Sequence, residues 1–428
     1  MIDKNQIYKF VKDLFPICRS ITGQGLRDSL DYIKDIIPGL LINSVESGTQ
    51  VFDWIVPDEW VIHGAYIEDE NGEKVIDFDN NNLHLMGYSE PVDKWLSLDE
   101  LKEYLHFLTD QPNAIPYVTS YYERRWGFCI TYEQYKKLKP GKYHVVINTE
   151  LKPGILNYGE LILKGESNKE IFLSTYLCHP SMANNELSGP AVTTYLAKWL
   201  SEKKRKYTYR IIFIPETIGS ITYLSKNLDE MKKNIIAGFN ITCVGDNMNY
   251  SFLPSIKGNT LADKVGLHVL ENLGLPYTKY SFLDRGSDER QYCSPGVDLP
   301  VVSLMRTKYG SFPEYHTSLD NLEFISPDGL QGGFDVLKKC LECIEINTTY
   351  KSTVLCEPQL GKRGLYPTIS RVEKNLDVKN TIDLLAYSDG KRTLLEIADI
   401  IKLPIWKLSP IINILKKKNL LKEVKTSI

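Results

Sequence analysis

Four short strings in this chain place a histidine or a carboxylate just after an apolar, β-branched run. Cys178-His179-Pro180-Ser181-Met182-Ala183-Asn184-Asn185-Glu186-Leu187-Ser188-Gly189 follows IFLSTYL, and Pro215-Glu216-Thr217-Ile218-Gly219-Ser220 follows YRIIFI. Gly245-Asp246 follows GFNITCV, and Glu314-Tyr315-His316-Thr317-Ser318-Leu319-Asp320 comes shortly after PVVSLM. Imidazole nitrogen with carboxylate oxygen is the donor set of a hydrolytic zinc or manganese site. An ion held there would activate water and polarise a carbonyl. Each residue alone has a plainer reading. His179 could be a hydrogen-bonded loop residue, Glu216 a carboxylate at a helix start, and Asp246 an Asx-turn. Ser318 or Asp320 could cap the last helix. What favours the metal is the joint pattern, in which successive strand ends deliver donors to one edge.

That edge requires a particular scaffold. IFLSTYL (171–177) is followed by a helical GPAVTTYLAKWLSEKK (189–204), then YRIIFI (209–214) and a helix over 220–234. GFNITCV (238–244), a helix over 259–274, PVVSLM (300–305) and a helix over 328–347 complete the alternation. Strands alternating with helices of this length predict βαβ crossovers and an α/β fold, a mainly parallel sheet flanked by helices. In such a sheet ligands bind beyond the carboxyl ends of the strands, where all four strings lie.

The rest of the chain has a different texture. Residues 1–50 open with two helical patterns, Ile7–Phe15 and Leu26–Ile37. From 51 to 143, segments such as VFDWIV, EWVIHGAYIED, GEKVIDF and WGFCITYE are short, aromatic and broken by Pro, Gly and Asn, which predicts an inserted β-rich domain. Trp54, Trp60, Trp95 and Trp126 all fall within it. Residues 366–428 show three amphipathic helical patterns and a short strand, with TLLEIADII, KLP and IWKLSPIINILKKKN forming the skeleton of a winged helix-turn-helix. The domain plan is therefore 1–50 with 144–350 as the α/β domain, 51–143 as the insert and 366–428 as the winged helix.

Composition narrows the setting. The 428 residues carry 51 Lys+Arg against 54 Asp+Glu, a formal charge of −3, which disfavours a chain that works mainly on nucleic acid. The longest uncharged stretch, Ile171–Asn185, contains Ser, Thr, His and Asn, so no membrane span of about 20 apolar residues is expected. The opening MIDKNQIYKFVKDLF lacks the apolar core of a signal peptide. Eight Cys without dense spacing fit a reducing cytoplasm, and a cytoplasmic protein is expected.

The order strand-His…Asn-x-x-Ser-Gly, strand-Glu-x-x-Gly-Ser, strand-Asp, Gly286-Ser287-Asp288 and Tyr315-His316-Thr317 resembles the co-catalytic zinc aminopeptidases. That family contains bacterial leucyl aminopeptidase and glutamate carboxypeptidase. The whole chain is still more similar to an aminopeptidase-like subgroup with a β-rich insert and a C-terminal winged helix, some of whose members are described as polysaccharide biosynthesis proteins. The resemblance implies that His179, Asp246 and His316 are metal ligands, that Asn185 falls on the carboxylate bridging two metals, and that Glu216 is the general base. Thr217 falls on a second ligand Glu, and Ser181 on an Asp that orients the first imidazole. Asn185 and Thr217 remove two negative charges from a site built for two dications. One zinc ion is therefore expected, held by His179, His316 and a carboxylate: Glu216, Asp246, or Glu186 after a one-residue loop shift. The implied activity is zinc-dependent hydrolysis of an amide in a small peptide-like or amino-bearing substrate. The alternative is a degenerate site that binds a ligand in surface polysaccharide assembly.

Asp288 or Glu289 could anchor a substrate amine or belong to a solvated turn, and Tyr315 and Arg306 could stabilise an oxyanion or bind a carboxylate. The string Pro116–Cys129 could wall the pocket, but an insert core with hydrogen-bonded tyrosines is the favoured reading. His63 and His84 read as satisfied loop histidines, Cys340 and Cys343 as buried core, and Thr22-Gly23-Gln24-Gly25 as the start of a helix. Lys407, Lys416, Lys417, Lys418, Lys422 and Lys425 make the tail basic, as DNA docking would need. Lysines at a helix C-terminus also complement its dipole, and the protein-contact reading is preferred. The oligomeric state, a homo-oligomer included, is left open.

Overall fold

The computed structural model describes residues 2–365 and 376–424. Packing divides the chain into two units, Met1–Asp263 with Tyr277–Asp335, and Lys264–Pro276 with Val336–Ile428.

The first unit is built on an eight-stranded mixed sheet in the order Leu41–Glu46, Ile155–Leu163, Tyr207–Ile214, Ser167–Tyr176, Ile235–Asn240, Val301–Met305, Tyr250–Leu253 and Tyr277–Lys279. The four central strands run parallel. Tyr207–Ile214 is buried along its whole length, as a parallel strand covered on both faces must be. Antiparallel pairings attach the flanking strands Leu41–Glu46, Ile155–Leu163 and Tyr250–Leu253. These strands are short or of mixed polarity, so alternation with long helices did not reveal them.

Strand order explains why the donor strings meet. From Ser167–Tyr176 the chain crosses to Tyr207–Ile214 on one side through the helix Ser188–Ser201. It then crosses back, through Ile218–Asn234, to Ile235–Asn240 on the other side. With right-handed crossovers, this reversal puts the two helices on opposite faces and opens a crevice at the carboxyl end of Ser167–Tyr176. The loop carrying His179 starts there. The strand expected to reach residue 244 ends at Asn240, because the chain turns out of the sheet and Cys243 takes φ 50°.

The insert forms a separate antiparallel sheet, Lys74–Asp77, Glu59–Asp69, Lys142–Lys152 and Val92–Ser97 in that order. Its strand Lys142–Lys152 pairs on both sides with insert strands, so insert-type pairing runs past the boundary expected at 143. Trp60 stacks on Tyr88 with ring centroids 5.5 Å apart, and the Tyr88 hydroxyl lies 2.7 Å from that of Thr22. His63 and His84 both have partners as expected, but neither is a loop residue: His63, within the strand Glu59–Asp69, meets Glu150 at 2.8 Å, and His84, in the short helical turn Asn82–His84, meets the Cys129 carbonyl at 2.7 Å.

The second unit contains the three-stranded sheet Asp389–Thr393, Thr349–Ser352 and Leu421–Val424, with the helices Leu376–Tyr387, Leu394–Ile401 and Ile405–Lys417. Thr393 and Glu396 make a reciprocal capping box at the start of Leu394–Ile401. Lys402, at φ 57°, turns the chain toward the next helix. Leu394, Ile397, Leu408, Ile412 and Leu415 are buried between these elements, which is the winged helix-turn-helix arrangement. Cys340 and Cys343 are buried core thiols. Lys407, Lys416, Lys417, Lys418 and Lys422 are exposed. Lys425 and positions 366–375 of the expected domain lie outside the described residues. Among the described residues, no helix is long and apolar enough to cross a membrane.

One glycine links the fold to the crevice. Gly189, in the first turn of Ser188–Ser201, is buried against the chain leaving the sheet. A methyl group there would overlap the Ile241 carbonyl oxygen and lie 2.5 Å from Thr175 Oγ1. Alanine is the better helix former by up to ~1 kcal/mol. Overpacking outweighs that preference, so Gly189→Ala should destabilise the protein by ~2 kcal/mol, read as a lower urea midpoint with an unchanged slope.

Candidate metal centre and active site

The crevice is built around His179. After Tyr176 the chain runs through Ser181, at φ 41°, into a π-helical turn, Ala183–Leu187, which leads directly into Ser188–Ser201. A π-turn carries more residues per turn than an α-helix and rotates the side chains that follow. Here Glu186 turns toward the histidine: Oε2 lies 2.7 Å from His179 Nδ1, and Oε1 accepts the Cys178 N–H. The bond holds a proton on Nδ1, so a cation that displaces the second proton would meet Nε2 as the donor atom. Cys178, His179 and Glu186 form a tight cluster with ligand atoms within 4.8 Å of one another. Burial opposes a charge on His179, while Cys178 and Glu186 hold its pKa well above the ordinary value. Burial also raises the Cys178 thiol to about 11, so at neutral pH the effective partner is Glu186.

Asn185 faces elsewhere. Its Oδ1 accepts the Tyr176 hydroxyl at 2.9 Å, and its backbone N–H donates to Asp320 at 2.8 Å. Its side-chain nitrogen is buried without a partner. Asp320, weighed as an N-cap for the last helix, instead accepts the N–H groups of Asn184 and Asn185. Burial pushes this carboxyl up to about 7.

Glu216 arrives from the adjacent strand end. Its Oε2 lies 3.7 Å from His179 Nε2, its side chain is about a fifth exposed, and its backbone N–H points to Cys178 Sγ at 3.3 Å. Burial raises the carboxyl above its ordinary pKa, against the opposing pull of His179 and then of the Ser287 hydroxyl.

His316 comes from the loop after Val301–Met305 and sits at φ 57°. Its ring centroid is 5.4 Å from that of His179, it stacks on Tyr315 at 3.9 Å, and its Nε2 is buried without a partner. Burial and then His179 depress its pKa to about 3, so the imidazole is neutral with a lone pair available. The insert pins this loop. Tyr117 N–H donates to the His316 carbonyl at 2.8 Å, and Ile115 and Ser318 exchange two bonds of 2.9 and 3.0 Å. Ser318 thus serves the insert, and Ser326 caps the last helix by accepting the Gly329 N–H at 2.9 Å. The Tyr117 ring lies 5.0 Å from His179 and 5.2 Å from His316, walling the crevice, while Tyr121 packs against the hydrophobic cluster that holds Tyr88. The two readings of Pro116–Cys129 therefore apply to different tyrosines of one region.

The other sequence candidates divide. Both oxygens of Asp246 are engaged, by Thr307 Oγ1 and the Met248 N–H on one and by the Thr307 N–H and Asn184 Nδ2 on the other. Glu289 accepts from Gly286, Ser287, Tyr309 and Asn240, leaving no free face for a substrate amine. Asp288 is fully buried rather than a solvated turn; its Oδ1 accepts from Thr217 and Ser220, and its Oδ2 has no partner. Arg306 lies over the Tyr250 ring and donates to the Met248 carbonyl. Tyr315 stays beside His316, its pKa raised by burial and then by Glu216. The chain thus brings His179, Glu216, His316 and Tyr315 to one place and ties Asp246, Glu289 and Arg306 into the frame. The sequence offered Tyr117 only within the Pro116–Cys129 string and Glu186 only as a ligand, and nothing in it pointed to Arg19. Arg19 is fully buried, with Nε 3.9 Å from Glu186 Oε1.

Comparison with known proteins agrees with this architecture. Residues 8–347 match the family described as a domain of unknown function, DUF4910, and residues 348–423 match a winged helix-turn-helix family. A Clostridium acetobutylicum protein, named for polysaccharide biosynthesis and for an aminopeptidase-like domain, is 49% identical over 92% of this chain and 90% of its own. A crystal structure from Clostridium acetobutylicum, named there as a peptidase, superposes with TM-score 0.93 at 46% identity, covering 98% of this chain and 96% of that one. BSAP, a zinc aminopeptidase from Bacillus subtilis, shares the fold with TM-score 0.58 at 13% identity, over 80% of this chain and 95% of that one. The chain belongs to the DUF4910 family, an aminopeptidase-like α/β fold followed by a winged helix-turn-helix domain.

Proposed function

We propose that this protein is a single-zinc hydrolase that cleaves an amide bond in a small peptide-like substrate carrying an amine. The observation that carries this reading is the pairing of two imidazoles. One is oriented by a buried carboxylate, the other has an unpartnered buried Nε2, and a third-residue carboxylate lies 3.7 Å from the first. Two nitrogens and one oxygen are a zinc-type donor set. His179 and His316 would hold the ion through Nε2, with one oxygen of Glu216. Asp246 and Glu186 are occupied by other partners, which argues for one ion rather than two.

When bound, zinc would lower the pKa of a water and polarise the scissile carbonyl. The chain's own residues do the rest. Glu216 takes a proton from the attacking water and returns it to the leaving nitrogen. Glu186 keeps His179 in the tautomer whose Nε2 is free. Tyr117 and Tyr315 bound the crevice and exclude bulk water.

A second reading, a ligand-binding module without catalysis, is favoured by Asn185, Thr217 and Ser181. All three are uncharged where the resembled peptidases carry acids. In that case the relative's name points to a role in polysaccharide assembly.

Two measurements separate these readings. Elemental analysis of the purified full-length protein should give about one zinc per chain, and His179→Ala or His316→Ala should reduce it below ~0.1 while the far-UV spectrum is retained. A folded wild-type protein that takes up no zinc would leave only the binding module. Glu216→Gln keeps an oxygen for the metal but cannot accept a proton. It should retain most of the zinc and lose at least ~100-fold in kcat on aminoacyl p-nitroanilides, with little change in KM.

A further inference from the structure

The chain makes an unusual turn immediately after Glu216. Thr217 has φ 64° and ψ −76°, and the Ile218 N–H donates to the Glu216 carbonyl at 2.8 Å. An i-to-i+2 hydrogen bond across a residue with positive φ and negative ψ is the rare, strained form of γ-turn. A β-branched side chain in that conformation adds a steric penalty that glycine would not bear. Such a conformation persists only where the surroundings over-determine it.

The surroundings here are specific. Asp288 is fully buried, and its Oδ1 accepts the Thr217 N–H at 2.8 Å and the Ser220 hydroxyl at 2.8 Å. Exposed Arg290, in the same short helical segment, donates through NH2 to Thr217 Oγ1 at 2.7 Å. Backbone and side chain of the strained residue are thus gripped separately, by two residues two apart in sequence. Just downstream, Gly219 packs against Pro215, where a methyl group would lie 2.6 Å from the proline ring. With the loop compressed in this way, Glu216 faces back toward His179 instead of running on into the helix Ile218–Asn234.

We propose that Asp288 and Arg290 are positioning residues for Glu216: they brace a strained γ-turn at Thr217 and thereby aim the Glu216 carboxylate at His179. The proposal rests on the reading of Glu216 as a zinc donor and proton acceptor, and it replaces the idea that Asp288 anchors a substrate amine.

The brace is tested first without metal, by a double-mutant cycle on the full chain read by thermal unfolding. Asp288→Ala should lower Tm by about 2–4 °C in the wild-type background. In a Thr217→Gly background, where there is little strain to restrain, the loss should be at most half as large. Asp288→Asn retains the acceptor oxygen and should unfold within about 1 °C of wild type. Equal losses in both backgrounds, or an Asn variant as unstable as the Ala variant, would overturn the brace. The second test is zinc affinity by chelator competition, with zinc alone as the probe. Asp288→Ala and the surface variant Arg290→Ala should each weaken binding by about 10–100-fold, and Asp288→Asn by less than about 3-fold. If the cycle shows coupling but zinc affinity is unmoved in both, the turn does not serve Glu216 and the proposal fails. If Asp288→Ala does not fold, Arg290→Ala and Asp288→Asn still decide it. A wild-type protein that binds no zinc removes the hydrolase reading, and the unfolding cycle then judges the brace alone.

Discussion

A carboxylate buried beyond the reach of water must find enough partners to remain there, and the centre of this protein is arranged around that need at Glu186. The side chain is wholly inaccessible, as is that of Arg19 3.9 Å away. One carboxylate oxygen accepts the Cys178 N–H and the other meets His179 Nδ1. Removing one partner of a buried charged group is costlier than never having buried it, so these contacts constrain one another. The end of the central strand and the π-turn before the first crossover helix are joined through this single side chain, with the Arg19 guanidinium of the N-terminal segment at ion-pair distance. The direction of the His179 imidazole is the functional consequence.

Around this point the structure accepts local strain in return for convergence. Ser181, Thr217, Cys243 and His316 all have positive φ, and each lies in a loop that follows one of the four parallel strands. None is glycine, so each depends on its surroundings for support. The insert provides part of it: three hydrogen bonds between Ile115–Tyr117 and His316–Ser318 hold the most distant of the loops against the crevice. A segment that reads in sequence as a separate β-rich module is therefore integral to the geometry of the centre.

The sheet itself was legible because its physics is local. Apolar strands and amphipathic helices announce themselves by period, and right-handed crossovers then decide which ends of the strands share an edge. His179, Glu216 and His316 could be picked out on that basis, since each follows a strand that the pattern reveals. The short strands Tyr250–Leu253 and Tyr277–Lys279 escaped, being too brief to show a period. Asp246 was a credible donor in sequence for the same reason as Glu216, and Glu289 a credible anchor for a substrate amine; nothing local distinguishes an engaged carboxylate from a free one.

The amino-acid order alone determined the α/β class, the aromatic insert, the basic helical tail and the three residues that meet at the crevice, because each is written in spacing, composition or position after a strand. Tertiary structure decided which carboxylate orients His179, which acids are consumed by the frame, and that Tyr117 closes the wall. These outcomes depend on a π-turn that rotates Glu186 by a fraction of a turn, and on hydrogen bonds between residues up to about two hundred positions apart. Hydrogen bonds of a few ångströms fix such choices, and one-dimensional spacing carries no information at that scale.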